Sequence, residues 1–150
     1  MQTINTILSK DLSELKFPIA ETTLLYFSAH WCPPCKVLTP ILAEFYGELR
    51  AEGVSPAAFE VVFVSSDRSE PEFKEYYQSM PWAHLRFSNR EEKNRISSFF
   101  AVNTIPKIVV LNRKGVQIQS DARQLITKWY SSITRDSASS VLASIQAISN

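Results

Sequence analysis

The 150-residue chain combines 45% hydrophobic with 21% charged residues and carries a formal net charge of +1. That size and composition are typical of one globular domain, and the balanced charge provides no argument for a nucleic-acid or anionic-membrane partner. No apolar run approaches the roughly 20 residues that a membrane-spanning helix needs. We therefore expect a single domain over residues 1–150 and a monomer, with neither a nucleic-acid nor a membrane partner.

The N-terminal residues and the cysteine content bear on the cellular setting. Residues 1–6 lack both the basic region and the long apolar region of a secretory signal, which predicts a cytoplasmic or nuclear protein. The two cysteines are too few for a disulfide framework. A bond between them would close a very short loop and add little stability through chain entropy. The thiols are therefore available for chemistry.

Apolar patterning predicts alternating strands and helices along the chain. The predicted strands cover residues 22–28, 59–65, 107–111 and 116–120, and the predicted helices cover residues 33–50, 69–80, 88–100, 121–130 and 136–148. Ile4, Ile7 and Leu8 suggest a short edge strand or a helical turn before them. Capping-box patterns mark the starts at Ser69 and Ser88. The third helix is expected to turn Ile96, Phe99 and Phe100 inward.

The order of these elements predicts an α/β fold. Strand, helix and strand in succession indicate a parallel βαβ unit. The turn at residues 112–115 then returns the chain antiparallel to the preceding strand. The result is a mixed central β-sheet with helices on both faces.

Both cysteines lie in one motif, Trp31-Cys32-Pro33-Pro34-Cys35, between a strand and a helix. The thiolate is the attacking form of cysteine, and the unpaired amides and dipole at a helix start favour negative charge on Cys32. Cys35 lies one turn inside and is expected to be more buried and less ionised. This spacing predicts that Cys32 attacks a disulfide and that Cys35 then resolves the mixed disulfide.

Two other interpretations of the cysteine pair are weaker. A structural zinc site needs four ligands, and the other strong candidates are His30 and His84. His30 is too close in sequence to complete a relaxed tetrahedron easily. In the second interpretation the two cysteines are inert core residues. Trp31 before them and the two prolines between them argue for a functional motif instead. We expect neither a metal nor a cofactor.

The motif and its surroundings resemble a known family. Residues 26–35 resemble the active-site strand and loop of the tryparedoxin and nucleoredoxin branch of the thioredoxin superfamily. Further matches follow in chain order at residues 39–40, 45–46, 59–65, 80–82 and 105–107. The resemblance covers roughly residues 22–120.

The resemblance implies a thioredoxin-like fold and a protein-disulfide oxidoreductase activity on protein or small-molecule disulfides. The implied partners are disulfide-bearing proteins or peroxidases, together with an upstream reductant, either a reductase or a low-molecular-weight thiol. Nucleoredoxin-like proteins also suggest an alternative, a redox-dependent protein-binding module.

The resemblance also assigns roles to residues around the dithiol. Pro106 is expected to follow a cis peptide bond and to pack against the active-site loop, although the sequence alone allows it merely to begin a strand. The Ile105 backbone would offer an edge to an extended substrate. Trp31 would shield the dithiol and contact partners, while Pro33 and Pro34 would restrict the loop.

Two positions depart from the thioredoxin pattern. Tyr26 stands where thioredoxins carry a buried carboxylate, six residues before the first cysteine. Either water or a carboxylate from elsewhere, such as Asp67, would then accept the Cys35 proton, but Asp67 is more simply a solvated residue at a strand end. His30, as a cation, would stabilise the Cys32 thiolate, whereas an exposed loop histidine would have no such effect.

Overall fold

The computed structural model describes residues 7–8, 14–17 and 19–147. Their strands are β1 (Ile7–Leu8), β2 (Glu14–Leu15), β3 (Thr22–Ser28), β4 (Phe59–Ser65), β5 (Ala83–Leu85), β6 (Lys107–Leu111) and β7 (Gln117–Gln119). Their helices are α1 (Pro33–Ala51), α2 (Glu70–Tyr77), α3 (Arg90–Phe99), α4 (Arg123–Ser131) and α5 (Ala138–Ala147). None of these helices is both long enough and apolar enough to cross a bilayer.

The described strands form one mixed sheet in the order β2-β1-β5-β4-β3-β6-β7. The central strand β3 pairs parallel with β4 along its whole length and antiparallel with β6. Because α1 connects β3 to β4, these three elements form the predicted parallel βαβ unit. Antiparallel strands close both sides of the sheet, namely β7 beside β6 and the β1–β2 pair beside β5.

The core lies on both faces of the sheet. Successive side chains of β3 point to opposite faces, so Leu24 and Tyr26 belong to a larger cluster while Leu25 and Phe27 belong to a smaller one. Helices α1, α2, α4 and α5 contribute buried side chains to the larger cluster, and α3 contributes to the smaller one. The predicted arrangement of helices on both faces is confirmed.

Helix α1 begins directly after Cys32, which occupies the N-cap position in an extended conformation. Proline suits the first turn because the amide that it lacks would have no intrahelical partner. The helix ends at Ala51, and Gly53 follows at a φ of 90°, which glycine adopts without steric penalty. The sequence therefore fixes the dithiol at the start of a well-defined helix.

Two features of the sheet differ from the prediction. Strand β5 was not predicted, because its three residues are too few to show a periodic pattern. The predicted strand at residues 116–120 contracts to Gln117–Gln119, since its pairing with β6 shifts register between Val110 and Leu111. The turn at residues 112–115 and the antiparallel return are confirmed.

Helix α3 corrects two sequence-based predictions. The side chain of Asn89, rather than Ser88, accepts the hydrogen bond from the Glu92 amide, so the helix starts one residue later than predicted. Phe99 was predicted to point inward and is instead 57% exposed. Residues Ile96 and Phe100, four positions apart, are buried, so the apolar stripe of this helix is narrower than predicted.

The terminal elements also shift slightly. Helices α4 and α5 each begin two residues after the predicted start. Ile7 and Leu8 form a strand, as one of the two interpretations proposed. Ile4 and Ile148, both used in the sequence-based predictions, lie outside the described residues.

Candidate active site

The two cysteines are free thiols with different surroundings. Cys32 retains 5% of its surface at the N-cap of α1, and Cys35, one turn inside, retains none. The Cys32 side chain makes no capping hydrogen bond, and the first turn carries no acidic residue. The helix start can therefore direct its unpaired amides and its dipole toward negative charge on Cys32.

Burial sets the protonation of Cys35. Desolvation, followed by the hydrogen bond to Cys32, raises the pKa of Cys35 to about 12. Hydrogen bonds from the Ser28 side chain and the Ala29 backbone act in the opposite direction and are smaller in effect. Cys35 is therefore protonated at neutral pH, as expected for a thiol that waits behind the attacking one.

A buried network of hydroxyl groups surrounds Cys35. The Tyr26 hydroxyl donates to the Cys35 carbonyl at 3.2 Å and lies 2.6 Å from Thr39 Oγ1. The Tyr76 hydroxyl lies 2.6 Å from Thr39 Oγ1 and 2.7 Å from Ser28 Oγ. Burial raises the pKa of both tyrosines, so their hydroxyl groups stay neutral donors. The neutral hydroxyl of Tyr26 thus stands at the position where the resemblance to thioredoxins implies a buried carboxylate.

The sheet brings the segment before β6 next to Cys32. Antiparallel pairing sets Lys107 opposite Phe27, close to the end of β3. The Ile105–Pro106 peptide bond is cis, which confirms that prediction. The Cys32 thiol donates to the Ile105 carbonyl, with 3.9 Å between sulfur and oxygen.

A cavity of about 420 Å³ opens beside Cys32. Trp31, Cys32 and Ile105 line it together with Phe27, Ser66, Lys93, Ser97, Val102, Asn103 and Thr104. Trp31 is 43% exposed, and its indole nitrogen donates to the Ser66 carbonyl at 2.9 Å. Cys32 is therefore reachable from a groove with one aromatic wall. We call this cavity the Cys32 groove.

The two prolines of the motif, Pro33 and Pro34, are exposed, and neither lines the Cys32 groove. Pro34 lines a separate cavity of about 290 Å³ that also includes Pro106 and the exposed Val37. Pro34 and Pro106 thus line one cavity, whereas Cys32 and Ile105 line another.

Comparisons with known proteins agree with this geometry. A family model described as thioredoxin-like matches residues 20–116. The tryparedoxin of Trypanosoma brucei brucei is 41% identical over 106 residues, which cover 70% of this chain and 71% of that protein. The chain belongs to the thioredoxin-like family. Its similarity to Arabidopsis thaliana probable nucleoredoxin 1 is 38% identity over 125 residues, which cover 82% of this chain and 21% of that protein.

Solved structures of family members share the fold of this thioredoxin-like domain. A tryparedoxin from Trypanosoma brucei superposes with a TM-score of 0.74 at 35% identity, covering 85% of this chain and 88% of that one. A tryparedoxin II complexed with glutathionylspermidine gives the same TM-score and identity, covering 85% of this chain and 87% of that one. The chain spans only about a fifth of the length of the nucleoredoxins that it matches.

The predicted role of Asp67 as a solvated residue is wrong for this thioredoxin-like domain. Asp67 is 5% exposed and accepts hydrogen bonds from the His30 amide at 2.7 Å and from the Ser65 hydroxyl at 2.6 Å. The carboxylate joins the end of β4 to the loop before Cys32. It is buried because that loop folds over it, which strand periodicity does not reveal.

His30 is separated from the Cys32 groove in this thioredoxin-like domain. Its ring is half-buried, with its centroid 5.4 Å from that of Tyr76, and it lines a third cavity of about 830 Å³. Cys32 lines a different cavity, the Cys32 groove. The structure thus gives the His30 ring a packing contact with Tyr76, and His30 is not among the residues that line the Cys32 groove.

Residues missed by the sequence-based site prediction are Ser28, Thr39, Tyr76 and Lys93. The first three contribute hydroxyls around Cys35, and the fourth lines the Cys32 groove. Position 39 belongs to the segments that carry the resemblance, and Tyr76 falls within the predicted helix at residues 69–80. In the part of the chain that the structure describes, no three His, Cys, Asp or Glu residues are arranged to hold a metal ion.

Proposed function

We propose that the protein is a thiol–disulfide oxidoreductase that reduces protein or small-molecule disulfides as a tryparedoxin-like electron carrier. The observation that carries the proposal is the contrast within one dithiol. Cys32 lies at a helix start and lines an open groove, whereas Cys35 is fully buried with its pKa raised to about 12. That contrast supports Cys32 as the attacking residue and Cys35 as the resolving residue.

The proposed reaction has two steps. The Cys32 thiolate attacks one sulfur of the substrate disulfide, forms a mixed disulfide and releases the other substrate sulfur as a thiolate. The Cys35 thiol then loses its proton to solvent and attacks the Cys32 sulfur, which releases the second substrate thiolate. The domain is left with a Cys32–Cys35 disulfide, so an upstream thiol reductant must return two electrons and two protons.

The remaining loop residues are proposed to hold the substrate. The Ile105 backbone, fixed by the cis bond before Pro106, would pair with an extended substrate segment. Trp31 forms one wall of the groove and would cover the reacting sulfurs. Pro33 and Pro34 would limit the movement of the loop between the reduced and the oxidised state.

We further propose a low-molecular-weight thiol or a reductase as the electron source. The tryparedoxin complexed with glutathionylspermidine supports a thiol reductant of that kind. Residues 1–150 are proposed to act as one thioredoxin-like domain and as a monomer in a reducing, cytoplasmic or nuclear setting. Size-exclusion chromatography with light scattering tests the monomer directly.

Turnover assays with three proteins test the oxidoreductase proposal. Wild-type protein should reduce insulin or glutathione disulfide in the presence of a dithiol reductant, and Cys32→Ser should abolish the reaction. Cys35→Ser should form mixed disulfides that accumulate and can be identified by mass spectrometry, with the Cys32→Ser/Cys35→Ser double variant as control. If the wild-type protein reduces neither insulin nor glutathione disulfide, the proposal is overturned.

A redox-dependent protein-binding module is the second candidate function. It is favoured by the similarity to nucleoredoxins, of which the chain spans about a fifth, and by the exposed apolar side chains of Trp31 and Val37 near the dithiol. Under this function the dithiol would switch an interface without turnover. If Cys32→Ser keeps partner binding and function intact, the module is supported over the enzyme.

A further inference from the structure

Among the described residues, the Cys32 groove is lined by one lysine, Lys93, and by no acidic side chain that could balance its positive charge. Lys93 lies on α3, is half-buried, and lines the groove with Cys32, Trp31 and Ile105. None of the groove-lining residues is acidic. A cation held partly out of water in a cavity without a counter-charge is an unfavourable arrangement unless a ligand supplies the charge.

The nearby carboxylates are already engaged. Glu92 pairs with Arg95 at 3.1 Å. Asp67 accepts hydrogen bonds from the His30 amide and the Ser65 hydroxyl. Among residues 7–8, 14–17 and 19–147, no carboxylate forms an ion pair with Lys93.

A neighbouring cation adds to the cost of the charge on Lys93. Burial, followed by the neighbouring charge of Arg90, lowers the pKa of Lys93. Arg90 itself donates to the carbonyls of Ser65 and Phe87, and the negative charge of Asp67 acts on Arg90. An anion that enters the Cys32 groove would therefore meet Lys93, and none of the described residues that line the groove is acidic.

The rest of the groove suits a short polar segment. Ser66, Ser97, Asn103 and Thr104 offer neutral hydrogen-bonding groups, and the groove volume of about 420 Å³ falls in the range of roughly 300–1,000 Å³ found for small-ligand sites. An extended chain advances about 3.3–3.6 Å per residue. A group one or two residues from a cysteine bound at Cys32 can thus still lie within the groove.

We propose that Lys93 binds a carboxylate of the substrate, so that the domain prefers disulfides with a carboxylate one or two residues from the reacting cysteine. This inference rests on the proposed oxidoreductase function and names its substrate class. The carboxylate has two possible sources, the free C-terminus of a short disulfide peptide and an acidic side chain of a protein. In either case it supplies the missing counter-charge for Lys93.

Three peptide disulfides separate these sources. They are the disulfide dimers of N-acetylated Cys-Gly with a free C-terminus, of the same peptide with an amidated C-terminus, and of amidated Cys-Asp. The rate of disulfide reduction by the reduced domain is measured for each at low substrate concentration. We expect a carboxylate-bearing peptide to react about tenfold faster than the amidated Cys-Gly peptide, the size of one charge-assisted contact.

Substitutions then link the preference to Lys93. Lys93→Gln should remove the difference between carboxylate and amide peptides, while Lys93→Arg should retain most of it. Lys128→Gln, an exposed lysine on α4, serves as the matched control and should behave as wild type. A preference for the free C-terminus alone or for the aspartate alone supports the proposal and identifies the source of the carboxylate.

A binding measurement keeps this inference separate from the oxidoreductase proposal. The Cys32→Ser/Cys35→Ser variant, with and without Lys93→Gln, is titrated with the same peptides by calorimetry. Lys93-dependent preference in binding without any turnover by wild type would support carboxylate recognition and overturn the oxidoreductase function. Turnover with equal rates for all three peptides, or a preference that survives Lys93→Gln, would overturn carboxylate recognition and leave the oxidoreductase proposal standing.

Discussion

At the scale of single residues, a neutral hydroxyl partly offsets the effect of burial on the Cys35 thiol. The Ser28 side chain hydrogen-bonds the Cys35 thiol and lies 2.7 Å from the Tyr76 hydroxyl. A hydrogen bond to the thiolate form stabilises the charge without placing a second charge in the core. The Ser28 hydroxyl therefore lowers the pKa of Cys35 at a smaller desolvation cost than a buried carboxylate would bring.

Ser28→Ala tests that contribution. Loss of the hydroxyl removes a bond that lowers the pKa of Cys35, so its pKa should rise further and less thiolate should be present at any given pH. We expect release of substrate from the Cys32 mixed disulfide to slow about three- to tenfold at neutral pH, and its pH profile to move to higher pH. Stopped-flow measurement of the release step across pH provides the readout.

The matched control is Ser144→Ala on the exposed side of α5. Its release rate and pH profile should equal those of wild type. An unchanged pH profile in Ser28→Ala would show that the hydroxyl does not act on Cys35.

The sequence alone identifies candidate site residues where their chemistry is local. Cys32 and Cys35 were identified because their spacing and position before a helix are visible in one short motif. Ser28 and Tyr76 were not, because 48 positions separate them and only the tertiary fold brings their hydroxyls together. Asp67 was misjudged for the same reason, since its burial depends on a loop from another part of the chain.

At the scale of elements, the start of α3 offers a test of the corrected helix cap. Asn89→Ala removes the side chain that accepts the Glu92 amide at 3.1 Å. The free energy of unfolding should fall by about 1 kcal/mol, the usual cost of losing an N-cap. Urea unfolding followed by circular dichroism measures the change.

Ser88→Ala is the natural control for the cap. The sequence-based prediction assigned the cap to Ser88, whereas the structure assigns it to Asn89. We expect Ser88→Ala to leave the midpoint of unfolding nearly unchanged. A larger loss from Ser88→Ala than from Asn89→Ala would contradict the structural assignment.

The longest apolar runs gave the most accurate predictions of elements. Strands β3 and β4 have the predicted bounds, because seven consecutive, mostly apolar residues require burial on both sheet faces. Strand β5 has only three residues, and it forms because β4 offers a free edge for Ala83 and His84 to pair with. Such a short strand depends on pairing with its neighbour, and its three residues are too few to show a periodic pattern in the sequence.

At the scale of the whole molecule, the order of the strands assembles the candidate site. Because β3 lies between β4 and β6, the loop after β3 meets the end of β4 on one side and the segment before β6 on the other. Asp67 and Ile105 thereby reach the dithiol loop from distant parts of the chain. Ligand sites commonly lie at such an edge, outside the carboxyl ends of parallel strands.

Burial of protonated groups also predicts how stability depends on pH. The pKa of Cys35 rises from its ordinary 9.0 to about 12, so the unfolded chain loses this proton before the folded one does. The stabilisation is complete below about pH 9 and is lost as the pH rises toward about 12. The reduced protein should therefore lose stability across this range, and burial of Tyr46, whose pKa rises to about 12, acts in the same direction.

Comparison with Cys35→Ala isolates the thiol in that experiment. Urea midpoints of the reduced wild type and of the variant are measured from about pH 8 to about pH 10.5. We expect the wild type to lose more stability than Cys35→Ala over this range. Parallel curves for the two proteins would contradict the shifted protonation of Cys35.

The most direct test of the account is the rate at which each thiol of the reduced wild-type protein is alkylated at pH 7. Iodoacetamide is quenched at short intervals, and fragment-ion mass spectrometry assigns the label within the Cys32–Cys35 peptide. Because Cys32 lines the groove at a helix start and Cys35 is fully buried, we expect Cys32 to be labelled at least about tenfold faster. Equal labelling of both thiols, or faster labelling of Cys35, would contradict the assignment of Cys32 as the attacking residue.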